Sequence, residues 1–88
     1  MKCLFLKSFL KDIQKINDKT TKSRLKKLIE QLEQADSLED IGQVKKLKGY
    51  PTAYRIRLGD YRLGFYLDGQ ELVLARFVKR NDIYKLFP

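Results

Sequence analysis

The chain has no histidine. That absence excludes Ser–His and Cys–His nucleophile pairs, paired-histidine nuclease sites and histidine metal centres. Any general base must be Lys, Tyr, Asp or Glu. The single cysteine, Cys3, excludes an internal disulfide and suits a reducing compartment. It lies in the first apolar run, so a buried, inert thiol is expected. No apolar run approaches the ~18 residues of a membrane span. The opening MKCLFLKSFLKD has too short an apolar patch for a signal peptide, and no small-residue cleavage site follows it. These features predict a cytosolic protein with no membrane partner. Acids are also scarce: 11 against 19 Lys and Arg, a net charge of +8. A basic partner is not expected, and nucleic acid, an acidic protein or an anionic membrane surface fits.

What is present is enough to fold. The 88 residues, 43% hydrophobic and 34% charged, predict one domain over residues 1–88 with a modest core, and not a disordered basic tail. No internal repeat, low-complexity segment or domain boundary interrupts it.

The chain is organised around Lys45 to Arg62, KKLKGYPTAYRIRLGDYR. Tyr54, Ile56 and Leu58 alternate with Arg55 and Arg57, the period of a half-buried strand. Gly59-Asp60 supplies a two-residue hairpin loop. Tyr61, Leu63, Phe65 and Leu67 resume the alternation, with Arg62, Gly64 and Tyr66 on the other face. The hairpin sets Arg57 directly opposite Arg62, and like charges so placed repel. The only acid in the stretch is Asp60. An external phosphate would relieve the repulsion.

Around this hairpin, Met1 to Leu6 reads as a first strand. Ser8 is expected to cap a short helix with Phe9, Leu10, Ile13 and Ile16 on its buried stripe. Asn17-Asp18 ends it. A second helix starts within Asp18 to Ser23 and buries Leu25, Leu28, Ile29, Leu32 and Ala35. Its cations Lys22, Arg24, Lys26 and Lys27 form a solvated face or a docking surface for an anion. Ser37 and Asp40 resemble a capping box around one short turn, Leu38 to Ile41. Gly42 to Lys48 reads as a basic connector, and Gly49-Tyr50-Pro51 as a turn. A second hairpin turn at Asp68-Gly69 leads to a third meander strand, Leu72 to Val78. Apolar on both faces except at Arg76, that strand is expected inside the sheet. The Asp68-Gly69 turn would place Arg62 opposite about Ala75, several residues short of Lys79. Asn81 or Asp82 would cap a short C-terminal helical turn. The expected fold is α+β: two helices packed on a small, mainly antiparallel sheet in the order β-α-α-β-β-β.

Two basic clusters can therefore converge: Arg55, Arg57 and Arg62 on the meander, and Lys79, Arg80 and Tyr84 after its last strand. Lys45, Lys46 and Lys48 read as a flexible, phosphate-attracting loop.

The segment KLKGYPTAYRIRLGDYRLGFYLDGQELVLARFVKRNDIY resembles the RelE/ParE superfamily of bacterial toxins. The resemblance rests on Leu47-Lys48-Gly49, Tyr54-Arg55-Ile56-Arg57, Gly59-Asp60-Tyr61-Arg62, and Lys79-Arg80 followed by Asp82-Ile83-Tyr84. It covers essentially the whole chain. For the RelE branch it implies a metal-independent, cofactor-free endoribonuclease that cleaves mRNA in the ribosomal A site. The ribose 2′-OH attacks the adjacent phosphate, and a cognate antitoxin neutralises the toxin. Carried over by position, Arg55, Arg57 and Arg62 would hold the phosphate and its transition-state charge, and Arg80 the leaving-group side. Tyr84 would stack on a base or orient the 2′-OH. Arginine makes a poor base where some relatives carry lysine at Arg55 and Arg57. Lys79 is then the base candidate, provided neighbouring cations depress its pKa. Lys45, Lys46 and Lys48 would bind RNA. A ParE-like inhibitor of DNA gyrase and a non-catalytic RNA- or antitoxin-binding relative are the alternatives the resemblance leaves open.

Overall fold

The computed structural model describes residues 1–88. The elements run β1 (Lys2–Phe5), α1 (Lys7–Gln14), α2 (Lys19–Gln34), a 3-10 turn (Leu38–Asp40), β2 (Val44–Lys46), β3 (Ala53–Leu58), β4 (Tyr61–Asp68), β5 (Glu71–Lys79) and α3 (Arg80–Leu86). The five strands form one sheet in the order β1-β5-β4-β3-β2. β1 lies parallel to β5, and every other pairing is antiparallel. No helix is long and apolar enough to cross a membrane.

The α+β expectation holds with one added strand. Residues expected as a connector supply β2, which pairs antiparallel with β3 along the sheet edge. Three residues with two lysines carry too little alternation to announce a strand. Its lysines protect an edge that would otherwise pair with another chain.

α1 and α2 cover one face of the sheet. Phe9 and Ile16 from α1 and its C-terminal flank, with Leu25, Leu28 and Leu32 from α2, meet Ile56, Leu63, Phe65, Leu72, Leu74 and Phe77 in one buried cluster. Three details differ from expectation. Ser8 does not cap α1: Leu6 occupies the N-cap, and the Ser8 hydroxyl donates to the Ala75 carbonyl at 2.6 Å. Leu10 is exposed rather than on the buried stripe. Cys3 is only half-buried, although burial and then Glu33 push its thiol pKa up. α2 starts where expected, with the Asp18 carboxylate accepting from Thr20 N–H at 3.1 Å and Thr21 Oγ1 at 2.7 Å. At its other end the Met1 ammonium donates to the carbonyls of Leu32, Glu33 and Ala35. A cation there satisfies orphan carbonyls and opposes the negative end of the helix dipole.

The β4–β5 hairpin also departs from expectation. Asp68 pairs with Glu71, so the loop is Gly69-Gln70 and not Asp68-Gly69. Gly69, at φ 62°, takes the first loop position, where a two-residue hairpin of this kind requires positive φ. The register slips once more at Ala75, which has no partner between the pairs Phe65–Leu74 and Gly64–Arg76. This extra residue is a bulge. It lets Leu74 and Phe77, three apart, both reach the helical core, and Ser8 occupies the bulge carbonyl. Arg62 consequently faces Val78, not Ala75.

Beside the bulge, Arg76 reaches Asp12 of α1. Its Nε and one terminal nitrogen donate to the two carboxylate oxygens at 2.8 and 2.9 Å, and Phe77 N–H donates to the same carboxylate at 3.0 Å. Asp12 is the only buried charged residue, and this ring of donors satisfies it.

α3 closes part of the opposite face. Its Ile83 and the following Phe87 bury against Ala53 and Ala75, with Tyr66 and Val78 beside them. Lys79 occupies the helix N-cap with no side-chain capping bond, where Asn81 or Asp82 was expected.

Candidate active site

β3 and β4 alternate, so the inward set Tyr54, Ile56, Leu58 and Tyr61, Leu63, Phe65 leaves Arg55, Arg57 and Arg62 on the face that α3 covers only in part. Arg57 lies opposite Arg62, as the first hairpin predicts. β2 adds a second like-charged pair, Lys45 opposite Arg55. None of these four side chains forms an ion pair; the two salt bridges of the molecule are Lys2–Glu71 and Asp12–Arg76. Three adjacent strands thus present cations without an internal counter-charge.

They line one concave cavity of about 500 Å³. Arg55, Arg57 and Arg62 form its floor, and Lys45 with Val44 and Gln43 its β2 side. Arg80 and Tyr84 close it from α3. Arg62 is fixed by its own turn: one terminal nitrogen donates to the carbonyls of Gly59 and Tyr61, each at 2.9 Å. The backbone N–H of Arg80 donates to the Asp60 carbonyl at 2.9 Å, which ties the start of α3 to that same turn. The Arg55 guanidinium carbon sits 4.7 Å from the centre of the Tyr84 ring, in cation–π contact.

The electrostatics follow from this crowding. Desolvation pushes the Arg62 pKa below its usual value, and the charges of Arg57, Arg80 and Arg55 push the same way. Tyr84 is also lowered. The Arg80 guanidinium, placed to hydrogen-bond the phenolate, is the largest cause, and the Arg55 charge comes next. The site can bind an oxyanion with several guanidinium groups and offers a phenol that ionises more readily than usual.

Of the sequence-derived candidates, Arg55, Arg57, Arg62, Arg80, Tyr84 and Lys45 are brought together. Lys79 is not. It pairs with Tyr61, and the Ala75 bulge turns it to the helical face, where it borders a separate hollow with Lys15 and Asp82. Strict alternation from Leu74 would have aimed Lys79 at the arginines. Lys46 and Lys48 line an adjoining hollow instead. Gln43 was missed. It is the only non-glycine residue at positive φ (66°), and no sequence signal distinguishes it from its neighbour Gly42. No group of three or more His, Cys, Asp or Glu side chains converges anywhere in the molecule.

Residues 4–84 match the family described as the ParE toxin of the type II toxin–antitoxin system parDE. The whole chain aligns with all of Toxin RelE3 of Methanocaldococcus jannaschii at 40% identity over 89 residues. Among solved structures, the fold resembles a chain of the RelB–RelE antitoxin–toxin complex from Methanococcus jannaschii. The TM-score there is 0.82 at 36% identity, covering 97% of this chain and 99% of that one. A chain of the intact RelBE toxin–antitoxin complex of E. coli gives a TM-score of 0.65 at 27% identity, covering 89% and 94%.

Proposed function

This chain belongs to the RelE/ParE superfamily and is a RelE-like toxin of a type II toxin–antitoxin system; from that premise we propose that it is an endoribonuclease, cleaving mRNA on the ribosome without a metal ion. The observation that carries the reading is the convergence of four arginines and Tyr84 around one cavity.

In the reaction, the ribose 2′-oxygen attacks the adjacent phosphorus. The O2′–P bond forms, the P–O5′ bond breaks, and the products are a 2′,3′-cyclic phosphate and a 5′-hydroxyl. Tyr84 replaces Lys79 as the general base, because it lies in the cavity and the neighbouring guanidiniums favour its phenolate. It takes the 2′-hydroxyl proton. Arg55, Arg57 and Arg62 hold the non-bridging oxygens as negative charge builds on phosphorus. Arg80 donates a hydrogen bond to the departing 5′-oxygen, which water protonates, and the hydroxide left takes the proton from Tyr84 and restores the phenolate. The unpaired cations cost the resting protein repulsion, and the phosphate relieves it on binding.

The partner is a cognate antitoxin, as in the RelB–RelE complexes. Against a +8 toxin an acidic antitoxin associates fast. The toxin acts in the cytosol, where ribosomes and mRNA meet.

The test is translation in vitro of a reporter mRNA with purified toxin, the cuts being mapped by primer extension. Ribosome-dependent cuts that vanish in Arg62→Ala and Arg80→Ala support the reading. Intact mRNA with normal translation overturns it. The family match carries the ParE description, so a gyrase supercoiling assay is the next measurement in that event.

A further inference from the structure

Next to the arginine cavity lies a second, shallow hollow, lined by Lys45, Lys46, Leu47, Lys48, Tyr50 and Pro51. The two share Lys45, so a chain leaving one enters the other without crossing an acid. The segment was expected to be a flexible basic loop. It is a closed turn. Leu47 N–H donates to the Ala53 carbonyl at 2.9 Å, Tyr50 N–H to the Leu47 carbonyl at 3.2 Å, and Ala53 N–H to the Tyr50 carbonyl at 3.3 Å. Leu67 N–H of β4 pins Thr52 at 2.9 Å. Gly49, at φ 83°, and Pro51 fix the backbone on either side of Tyr50.

This turn holds a tyrosine in the open. Tyr50 is 50% exposed and takes part in no ring–ring or cation–π contact. Every other tyrosine has an aromatic or arginine partner: Tyr54 stacks on Phe65, Tyr61 on Phe77, Tyr66 leans on Phe87, and Tyr84 faces Arg55. A rigidly held, unpartnered ring among three lysines has the chemistry of a single-strand binding platform. There a base stacks on the π face while the lysines meet the flanking phosphates.

We infer that Tyr50, with Lys46 and Lys48, forms a second nucleotide subsite, which stacks a base of the RNA strand flanking the bond held in the arginine cavity. The inference rests on the nuclease reading for the identity of the strand and adds a residue and a subsite to it. A rigid turn binds without first losing entropy, so the stacked base adds affinity directly.

The test uses the full chain, which contains no tryptophan. Tyr50→Trp therefore supplies the only indole, excited selectively over the four remaining tyrosines, at the platform. The probes are 2′-O-methyl adenosine oligonucleotides, which cannot be cleaved by their own 2′-oxygen. The hexanucleotide is expected to quench the indole emission of Tyr50→Trp and to bind the wild type more tightly than the dinucleotide. Tyr50→Ala is expected to weaken hexanucleotide binding about five-fold or more, the low end for one stacked base. It should leave the melting temperature unchanged, and Tyr50→Phe should bind like the wild type. Wild-type affinity in Tyr50→Ala overturns the inference, and so does unquenched emission from Tyr50→Trp with RNA bound. Equal quenching by polyglutamate also overturns it, because it marks a general polyanion surface. Arg62→Ala runs alongside. If it alone weakens binding, only the platform fails. If no oligonucleotide binds, the platform also fails, and the ribosome cleavage assay, which does not read position 50, decides the nuclease reading independently.

Discussion

The two faces of the sheet are built on opposite terms. The face under α1 and α2 is dry: Leu63, Phe65, Leu72, Leu74 and Phe77 are essentially inaccessible, and its one buried charge, Asp12, is ringed by donors. The other face is closed in part by Ile83 and Phe87 and left open where Lys45 faces Arg55 and Arg57 faces Arg62. The same strands serve both. Strand alternation gives every inward apolar residue an outward neighbour whose chemistry the core does not constrain. The closed face supplies the stability that holds unpaired cations together on the open one. Function then sits where the structure is least satisfied.

The sharpest way to test the division is to remove one group from each face. On the open face, Tyr84→Phe deletes the proposed base, and cleavage is expected to fall by about 10²–10⁴-fold with no change in melting temperature. The pH profile identifies the group. The phenolate is the active form, so activity is lost as pH falls. Because Tyr84 is lowered, the wild-type rate should level off below the usual tyrosine value of about 10. In Arg80→Ala the Tyr84 titration, followed by phenolate absorbance against Tyr84→Phe and not by cleavage, should move back up, since Arg80 is the largest cause of the lowering. A rate independent of pH through this range would remove Tyr84 from the role. On the closed face, Phe65→Ala should do the reverse. It is expected to cost about 3–5 kcal/mol of stability in urea unfolding, as large cavities in packed cores do. The activity of the fraction that remains folded should be intact.

How far the two faces were legible in the sequence follows from the range of the signal each depends on. The helices, the β3–β4 hairpin and the Arg57–Arg62 pairing rest on local periodicity and a Gly-containing turn, and all were readable. That Arg80 and Tyr84 could converge on the arginines followed from the order of the strands, but their roles came from the family resemblance, because nothing local says where α3 lands. The bulge at Ala75 was not readable: it exists because Leu74 and Phe77 both find room in one core and Ser8 satisfies the freed carbonyl. That single extra residue removed Lys79 from the site. The seating of Phe87 was equally silent, since Gly64 looks like an ordinary interruption of a strand until a ring lies on it.

Gly64 is where the two faces can be coupled on purpose. A Cβ there would stand 2.6 Å from the Phe87 ring, closer than packed carbon atoms approach. Gly64→Ala is expected to destabilise the chain by about 1–3 kcal/mol through overpacking. Displacing Phe87 also shifts α3, which carries Arg80 and Tyr84, so cleavage should fall although neither residue is altered. Adding Phe87→Leu to Gly64→Ala should restore part of both losses if the ring is the obstacle. Stability that recovers without activity would mean that α3 has a second anchor.

The smallest effect bears most directly on why the open face exists. Arg57 and Arg62 are directly opposed, and no acid pairs with either. Opposed like charges on neighbouring strands cost the fold about 0.2–1 kcal/mol. Arg57→Gln keeps a polar, hydrogen-bonding side chain, shorter than arginine, and removes one charge. It should therefore raise the melting temperature slightly at low salt, and the gain should shrink as salt screens the repulsion in the wild type. RNA binding should change in the opposite sense. Arg57→Gln loses a phosphate contact, so its log–log salt slope should be shallower by about 0.7, the increment for one phosphate on a single strand. A variant that is both more stable and less able to bind would locate the repulsion and the binding in the same pair of side chains. If the melting temperature falls instead, Arg57 is held by an interaction stronger than its opposition to Arg62, and the open face is not strained at this pair.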